Sequence, residues 1–198
     1  MKRTTPSQPS CKAATTALMA EPKTLKDLVL QFPQTGRINA IILRPGRREP
    51  ALSVIEARAE PGHGMIGDRR AEKQRDGEAA RKRELTLVQG EHLPMIACWC
   101  GFDAIDPRQL RRNLIVSGIN LLSMKSPFRD LCCEWQIGDS ACIIVTGSCD
   151  PCSLMETDVG YGAYNAMRGL GGLTAMIVAA GVIRVGDSVR LKDVHETP

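Results

Sequence analysis

Aromatic residues are scarce in this sequence: three Phe, two Tyr and two Trp among 198 residues. A hydrophobic core must therefore be built from Val, Ile, Leu, Ala and Met. No stacking platform interleaved with Arg and Lys is available either, which argues against nucleic acid as a partner. Long apolar runs are missing too. None approaches the roughly 20 residues that a membrane helix needs, so no membrane partner is expected. Charge of one sign is not in large excess: 26 Lys and Arg against 22 Asp and Glu leave +4. That mild basic balance fits an anionic ligand in one pocket. The glycines of Arg168–Thr174 (RGLGGLT) are not followed by Lys-Ser/Thr, which excludes a Walker-type phosphate loop.

What is present suits one sizeable domain. Hydrophobic residues make up 43% and charged residues 24%, ordinary for a globular protein. Eight cysteines are many, but the chain is long enough to fold by burial, and Cys98, Cys132 and Cys142 lie inside apolar runs. Most cysteines therefore read as reduced, buried, small hydrophobes in a cytoplasmic protein. The first residues (MKRTTPSQPSCKAATTALMA) read as an arm, with no clear cleavage site for a secretory leader.

The chain divides into an N-terminal arm with a short helix (1–35), a single domain (36–192) and a C-terminal tail (193–198). Thr24–Phe32 (TLKDLVLQF) predicts a helix, with Thr24 and Asp27 in a capping-box arrangement and Pro33 as the stop. Arg37–Arg44, Leu52–Glu60 and Glu84–Gln89 are short β-branched-rich segments between Gly, Pro and Arg loops, hence strands. Gly90–Trp99 predicts a helix with Pro94 in its first turn, and Asp106–Arg112 opens with Asp-Pro, a helix start. Ile137–Ala141 (IGDSA) and Val185–Val189 (VGDSV) each set Gly-Asp between apolar strands, and both predict hairpins. Gly162–Gly169 is the last helix. Short strands with a few helices and no β-α alternation predict a mainly β protein, a closed or partly closed β-barrel.

Chemistry concentrates in Thr146–Met155 (TGSCDPCSLM), where Cys149 and Cys152 stand at CxxC spacing after an apolar strand. A zinc clip would need Cys98 with Cys100, or Cys132 with Cys133, as the second pair, and neither has the usual spacing of two to four residues. A thioredoxin-like dithiol needs a βαβ unit that is absent, and Asp150 opposes thiolate formation. A lone thiolate ligand to a soft metal remains, with Pro151 fixing the backbone before Cys152. Leu110–Leu114 (LRRNL) puts Arg111, Arg112 and Asn113 where a helix meets a strand. With strand period 2, Arg111 and Asn113 would point the same way, as an anion cradle; a solvated basic helix end is the other reading. Glu60–Arg70 (EPGHGMIGDRR) gathers His63, glycines, Asp68 and two arginines in a loop whose backbone can approach a ligand closely. Gln74–Glu84 is a charge run that reads as a solvated loop or helix face.

Taken in order, these pieces resemble the MOSC family, named for the C-terminal domain of molybdenum cofactor sulfurases. The resemblance rests on IGDRR, ELTLVQGEHL, RRNLIVSGINLL, WQIGDSACIIVTG, CDPCSLM and GLGGLTAMIVAAGVIRVGDSVRL, and spans roughly Gly36 to Leu191. It implies a β-barrel-like fold and binding of the molybdenum cofactor, molybdopterin, a pterin dithiolene carrying a phosphate. It makes Cys152 the molybdenum ligand or the carrier of a persulfide sulfur, which Cys149 would release by forming a disulfide. It gives Arg111 and Asn113 to the pterin or its phosphate. Arg112, Arg69, Ser148 and Cys149 complete the expected cofactor-binding set. A sulfur donor or a redox partner protein is implied as well. The sequence departs from larger members that reduce N-hydroxylated substrates, since it lacks their H-G-G-x-D-x-A segment, a ferredoxin-like cysteine cluster and a PLP-lysine domain. The alternatives are a non-catalytic anion-binding module and a zinc-clipped structural module.

Overall fold

Alternation of apolar and polar residues builds most of the regular structure among the described residues as strands. The computed structural model describes residues 24–72 and 81–196. The strands are β1 (Gly36–Leu43), β2 (Leu52–Val54), β3 (Glu56–Glu60), β4 (Gly64–Met65), β5 (Leu85–Gln89), β6 (Leu114–Ser117), β7 (Leu131–Ile137), β8 (Ala141–Ser148), β9 (Leu173–Ala179), β10 (Gly181–Arg184) and β11 (Ser188–Glu196). Four short helices accompany them among the described residues: α1 (Leu25–Val29), α2 (Leu93–Cys100), α3 (Leu154–Asp158) and α4 (Ala163–Ala166). Seven strands close a barrel in the order β11-β7-β8-β9-β5-β6-β1, and β1 returns to β11 through Gly36 opposite Val189. Closure removes the open edges that would otherwise invite pairing with other chains. β2 adds to the far end of β1, and β10, β3 and β4 form a separate small sheet.

The barrel interior is filled by aliphatic side chains around Trp135, among them Ile38, Ile41, Leu85, Leu87, Leu114, Val116, Ile143 and Ile177. Each such fully buried aliphatic group contributes about 1.5–3 kcal/mol. Trp135 satisfies its one polar atom by donating Nε1–H to the Met124 carbonyl at 2.9 Å, and Phe32 meets its ring edge-on at 4.7 Å. A second cluster lies outside the barrel wall: Val88 and Ile115 from β5 and β6 pack under Ile96, Leu110, Met155, Ala163 and Met167. β5 is thus buried on both faces, which is why Leu85–Gln89 reads as a nearly continuous apolar run. It pairs in parallel with β6. The segment between β8 and β9 carries Cys152, α3 and α4 onto this outer layer, and so brings the cysteine loop beside the Arg111–Asn113 segment.

The capping box of α1 is present, with Asp27 N–H donating to Thr24 Oγ1 and Thr24 N–H to Asp27 Oδ2. The first Gly-Asp pair makes the expected hairpin, with Ile137 opposite Ala141. The second does not. β10 pairs with β3, whereas β11 pairs with β7 and β1. The turn between β10 and β11 is instead pinned to β1, since Ile38 N–H donates to the Asp187 carbonyl and Gly186 N–H to the Ile38 carbonyl, so the two strands leave it for different sheets. Leu52–Glu60 is broken at Ile55 between β2 and β3. β11 runs on to Glu196 through pairs with β7, past the expected end of the domain at 192, because His195 and Glu196 still pair with Cys132 and Leu131. Most of the 74–84 charge run and the arm before Thr24 lie outside the described residues.

Candidate functional site

The IGDRR and RRNL segments meet at the end of β1. Asp68 is buried, and its Oδ2 accepts from Arg44 Nε at 2.9 Å, Arg44 N–H at 3.2 Å and Asn113 Nδ2 at 3.1 Å. Its Oδ1 accepts from Arg70 N–H at 3.0 Å. Asn113 continues the network: Nδ2 also donates to the Ile42 carbonyl, and Oδ1 accepts from Thr86 Oγ1 at 2.9 Å and Thr86 N–H at 3.3 Å. The frame ties β1, β5 and the entry to β6 together. It also positions Arg69, whose N–H donates to the Arg44 carbonyl at 2.8 Å, and Arg111, whose carbonyl accepts from Arg44 Nη1 at 3.2 Å.

Beside this frame opens a cleft of about 880 Å³ whose lining includes Arg44, Arg47, Arg48, Arg69, Arg108 and Arg111. Three carboxylates, Glu49, Asp106 and Asp158, share the wall. Arg108 pairs with Asp106 at 2.5 Å and Arg111 with Asp158 at 3.2 Å. Arg44 Nη2 is buried and has no hydrogen-bond partner among the described residues, an unsatisfied donor of the kind that marks a ligand position. Arg48 (φ 68°) and Arg111 (φ 59°) are the non-glycine residues with left-handed backbone in the described chain, and both face the same cleft. Such strain gathers at functional sites.

The expected same-side orientation of Arg111 and Asn113 is not found. β6 begins only at Leu114, and Arg111 is the left-handed cap of a 3₁₀ turn over Pro107–Leu110, so strand periodicity does not apply to it. Arg69 and Arg111 line the cleft; Asn113 lies behind it, bonded to protein. Arg112 is buried and turns the other way. Its Nε donates to the Gly171 carbonyl at 2.6 Å and its Nη2 to the Cys149 carbonyl at 2.8 Å. Ser148, the exposed last residue of β8, sits opposite Leu173. Sequence reasoning passed over Arg44, Arg47, Arg48 and Arg108; the basic run RPGRRE from Arg44 to Glu49 was the available signal.

Cys149 is buried, with Arg83 Nη2 at 3.8 Å from its Sγ. Cys152 is exposed, and its carbonyl accepts the Met155 N–H at the start of α3. Two residues on, Leu154 already lines the cleft, and two residues span at most about 7 Å. The other cysteines differ. Cys133 and Cys142 are buried, and burial pushes both thiols up from their ordinary value. Cys98, expected inside, is exposed on α2, because the helix turns Ile96 and Ala97 inward instead. Among the described residues no three His, Cys, Asp or Glu side chains come together to hold a metal ion, so the zinc clip finds no ligand set there. His63 Nδ1 meets the Ala71 carbonyl at 3.1 Å. No helix among the described residues is long and apolar enough to cross a membrane.

The MOSC domain family model matches residues 72–190. This chain belongs to the MOSC domain family. The matched range holds β5 through β10 and only the start of β11, and β1, which closes the MOSC barrel, precedes it. The structure is similar to the YuaD protein from Bacillus subtilis (TM-score 0.61, 19% identity, 83% of this chain and 97% of that one). It is also similar to YiiM from Geobacillus stearothermophilus (TM-score 0.58, 14% identity, 80% and 75%) and YiiM from Escherichia coli (TM-score 0.56, 17% identity, 79% and 70%). At these identities the likeness speaks for the MOSC barrel alone. No curated protein matches the sequence significantly.

Proposed function

We propose that this MOSC protein binds the molybdenum cofactor, with the arginine cleft taking its anionic phosphate end and Cys152 presenting a thiolate to the metal. The family association with that cofactor is the starting point. The observation that carries the reading to these residues is the cleft itself, which Arg44, with a buried Nη2 that has no partner among the described residues, lines together with Arg47, Arg48 and Arg69. Guanidinium forks match phosphate oxygens in pairs, and desolvated ones hold them most strongly. The residues therefore fit the group: hard cationic donors for the phosphate, and a soft exposed sulfur on the adjoining loop for a soft, sulfur-ligated metal.

When bound, the cofactor supplies two-electron atom-transfer chemistry, and the protein supplies grip and orientation. Arg69 and Arg111 hold the anionic end, Asp68 and Asn113 keep the arginines in place, and the loop before α3 offers Cys152. Persulfide carriage by Cys152, released through a disulfide with Cys149, is the second use of the same thiol. The first is favoured because Cys149 is buried, its N–H donates to the Gly172 carbonyl at 2.8 Å and its carbonyl is held by Arg112. The reading places the protein in the cytoplasm, working with a redox partner or a sulfur donor. The test is molybdenum by elemental analysis and pterin by fluorescence of its oxidised form, on protein from a cofactor-competent host. Near-stoichiometric amounts of both, with molybdenum lost in Cys152→Ser, are expected. Cyanide-labile sulfur on Cys152 without molybdenum would replace ligation by sulfur carriage, and neither signal would overturn both.

A further inference from the structure

Arg112 stands between the arginine cleft and the cysteine loop and contributes to the loop. It is 5% exposed, and among the described residues no carboxylate pairs with it. Its guanidinium donates to four backbone carbonyls instead: Gly171 at 2.6 Å, Leu110 at 3.0 Å, Cys149 at 2.8 Å and Asp150 at 3.3 Å. A buried cation with no counter-ion is costly, and burial does push Arg112 down from its ordinary value, while negative charge on Cys149 or Cys152 would act the other way. The fork joins three separate stretches: the 3₁₀ turn before β6, the turn after β8 and the Gly171–Gly172 bend before β9. The bend leaves no slack, since a Cβ on Gly171 would lie 2.3 Å from the Cys149 carbonyl oxygen.

We propose that Arg112 is a positioning residue for Cys152: by clamping the Cys149–Asp150 turn it keeps Cys149 buried and presents Cys152 as the accessible thiol of the pair. The inference rests on the reading of Cys152 as the working thiol, and it places Arg112 behind the cofactor rather than against it. Lysine cannot replace it, because one ammonium cannot span four carbonyls in a planar fork.

The test is a cysteine footprint on the full chain, with brief iodoacetamide labelling resolved residue by residue by mass spectrometry. In the unaltered protein Cys152 labels about a hundredfold faster than Cys149, as expected for a buried site that must open first. Arg112→Lys and Arg112→Gln raise Cys149 labelling about tenfold or more, while Cys133 and Cys142, buried in the barrel wall, stay protected. That pattern separates a loosened loop from general unfolding. If the Arg112 variants expose every cysteine together, Gly171→Ala, which retains Arg112 but displaces the Cys149 carbonyl, must give the selective footprint. Equal labelling of Cys149 and Cys152 in the unaltered protein overturns the proposal, as does unchanged Cys149 protection in a folded Arg112 variant. Molybdenum and pterin content report separately on the proposed function. The selective footprint in a protein without cofactor keeps the clamp and removes the function, and cofactor retained by a variant with no footprint change does the reverse.

Discussion

Replacing Asn113 by Ala separates a residue that builds the site from one that grips a ligand. Asn113 is 2% exposed, and its side chain makes four hydrogen bonds, to the Ile42 carbonyl, Asp68 Oδ2, Thr86 N–H and Thr86 Oγ1. Asp68 Oδ2 retains Arg44 after truncation. The Ile42 carbonyl and the Thr86 N–H lose a buried partner, at about 1–3 kcal/mol each. The expected loss is about 3–4 kcal/mol, a large part of the 5–15 kcal/mol typical of a folded domain. For a domain of this size that lowers Tm by roughly 6–16 °C. Thermal and urea melts of cofactor-free protein measure it. A loss below about 1 kcal/mol, with cofactor content abolished, would refute the reasoning and return Asn113 to the cofactor.

Gly172→Ala is expected to destabilise by several kcal/mol, because its Cβ would sit 1.9 Å from the Leu87 carbonyl oxygen at φ +93°. Gly169→Ala, also at positive φ but with nothing within 4 Å, should cost only about 1 kcal/mol; equal melting shifts for the two would contradict the packing argument. Glu134 is held below the usual glutamate range, chiefly by the Lys192 ammonium at 2.7 Å. Its contribution is therefore complete above the unfolded value of about 4.3 and is lost as pH falls through the lower folded value. Glu134→Gln should flatten the stability profile below pH ~4, as read by denaturation at pH 3 and pH 6, and an unaltered profile would show that the pair does nothing.

The barrel was legible because alternation and β-branched runs report strands directly, and the double-sided burial of β5 shows as an unbroken apolar run. The partners of a strand were less legible. The VGDSV turn has hairpin chemistry, yet contacts with β1, far away in sequence, send β10 and β11 to different sheets. In the site, Cys152 and the RRNL segment stood out by residue type. Their division of labour did not, because it depends on Arg111 adopting a left-handed backbone that its side chain does not announce. One residue later the chain turns Arg112 toward carbonyls instead of the cleft. Arg44 looked like the end of a strand, and its ion pair with Asp68, 24 residues on, is what ties it into the frame beside the cleft.

The central claim is that the arginine cleft holds the anionic end of the cofactor, and charge reversal tests it most directly. Arg47 and Arg48 are exposed on the loop after β1, so Arg47→Glu/Arg48→Glu should leave the melting temperature within a few degrees of the parent. Pterin and molybdenum would be quantified together after expression in a cofactor-competent host. The account predicts that both fall in parallel in this variant, whereas Cys152→Ser loses molybdenum in preference to pterin. Full pterin and molybdenum in the folded charge-reversed protein would contradict it.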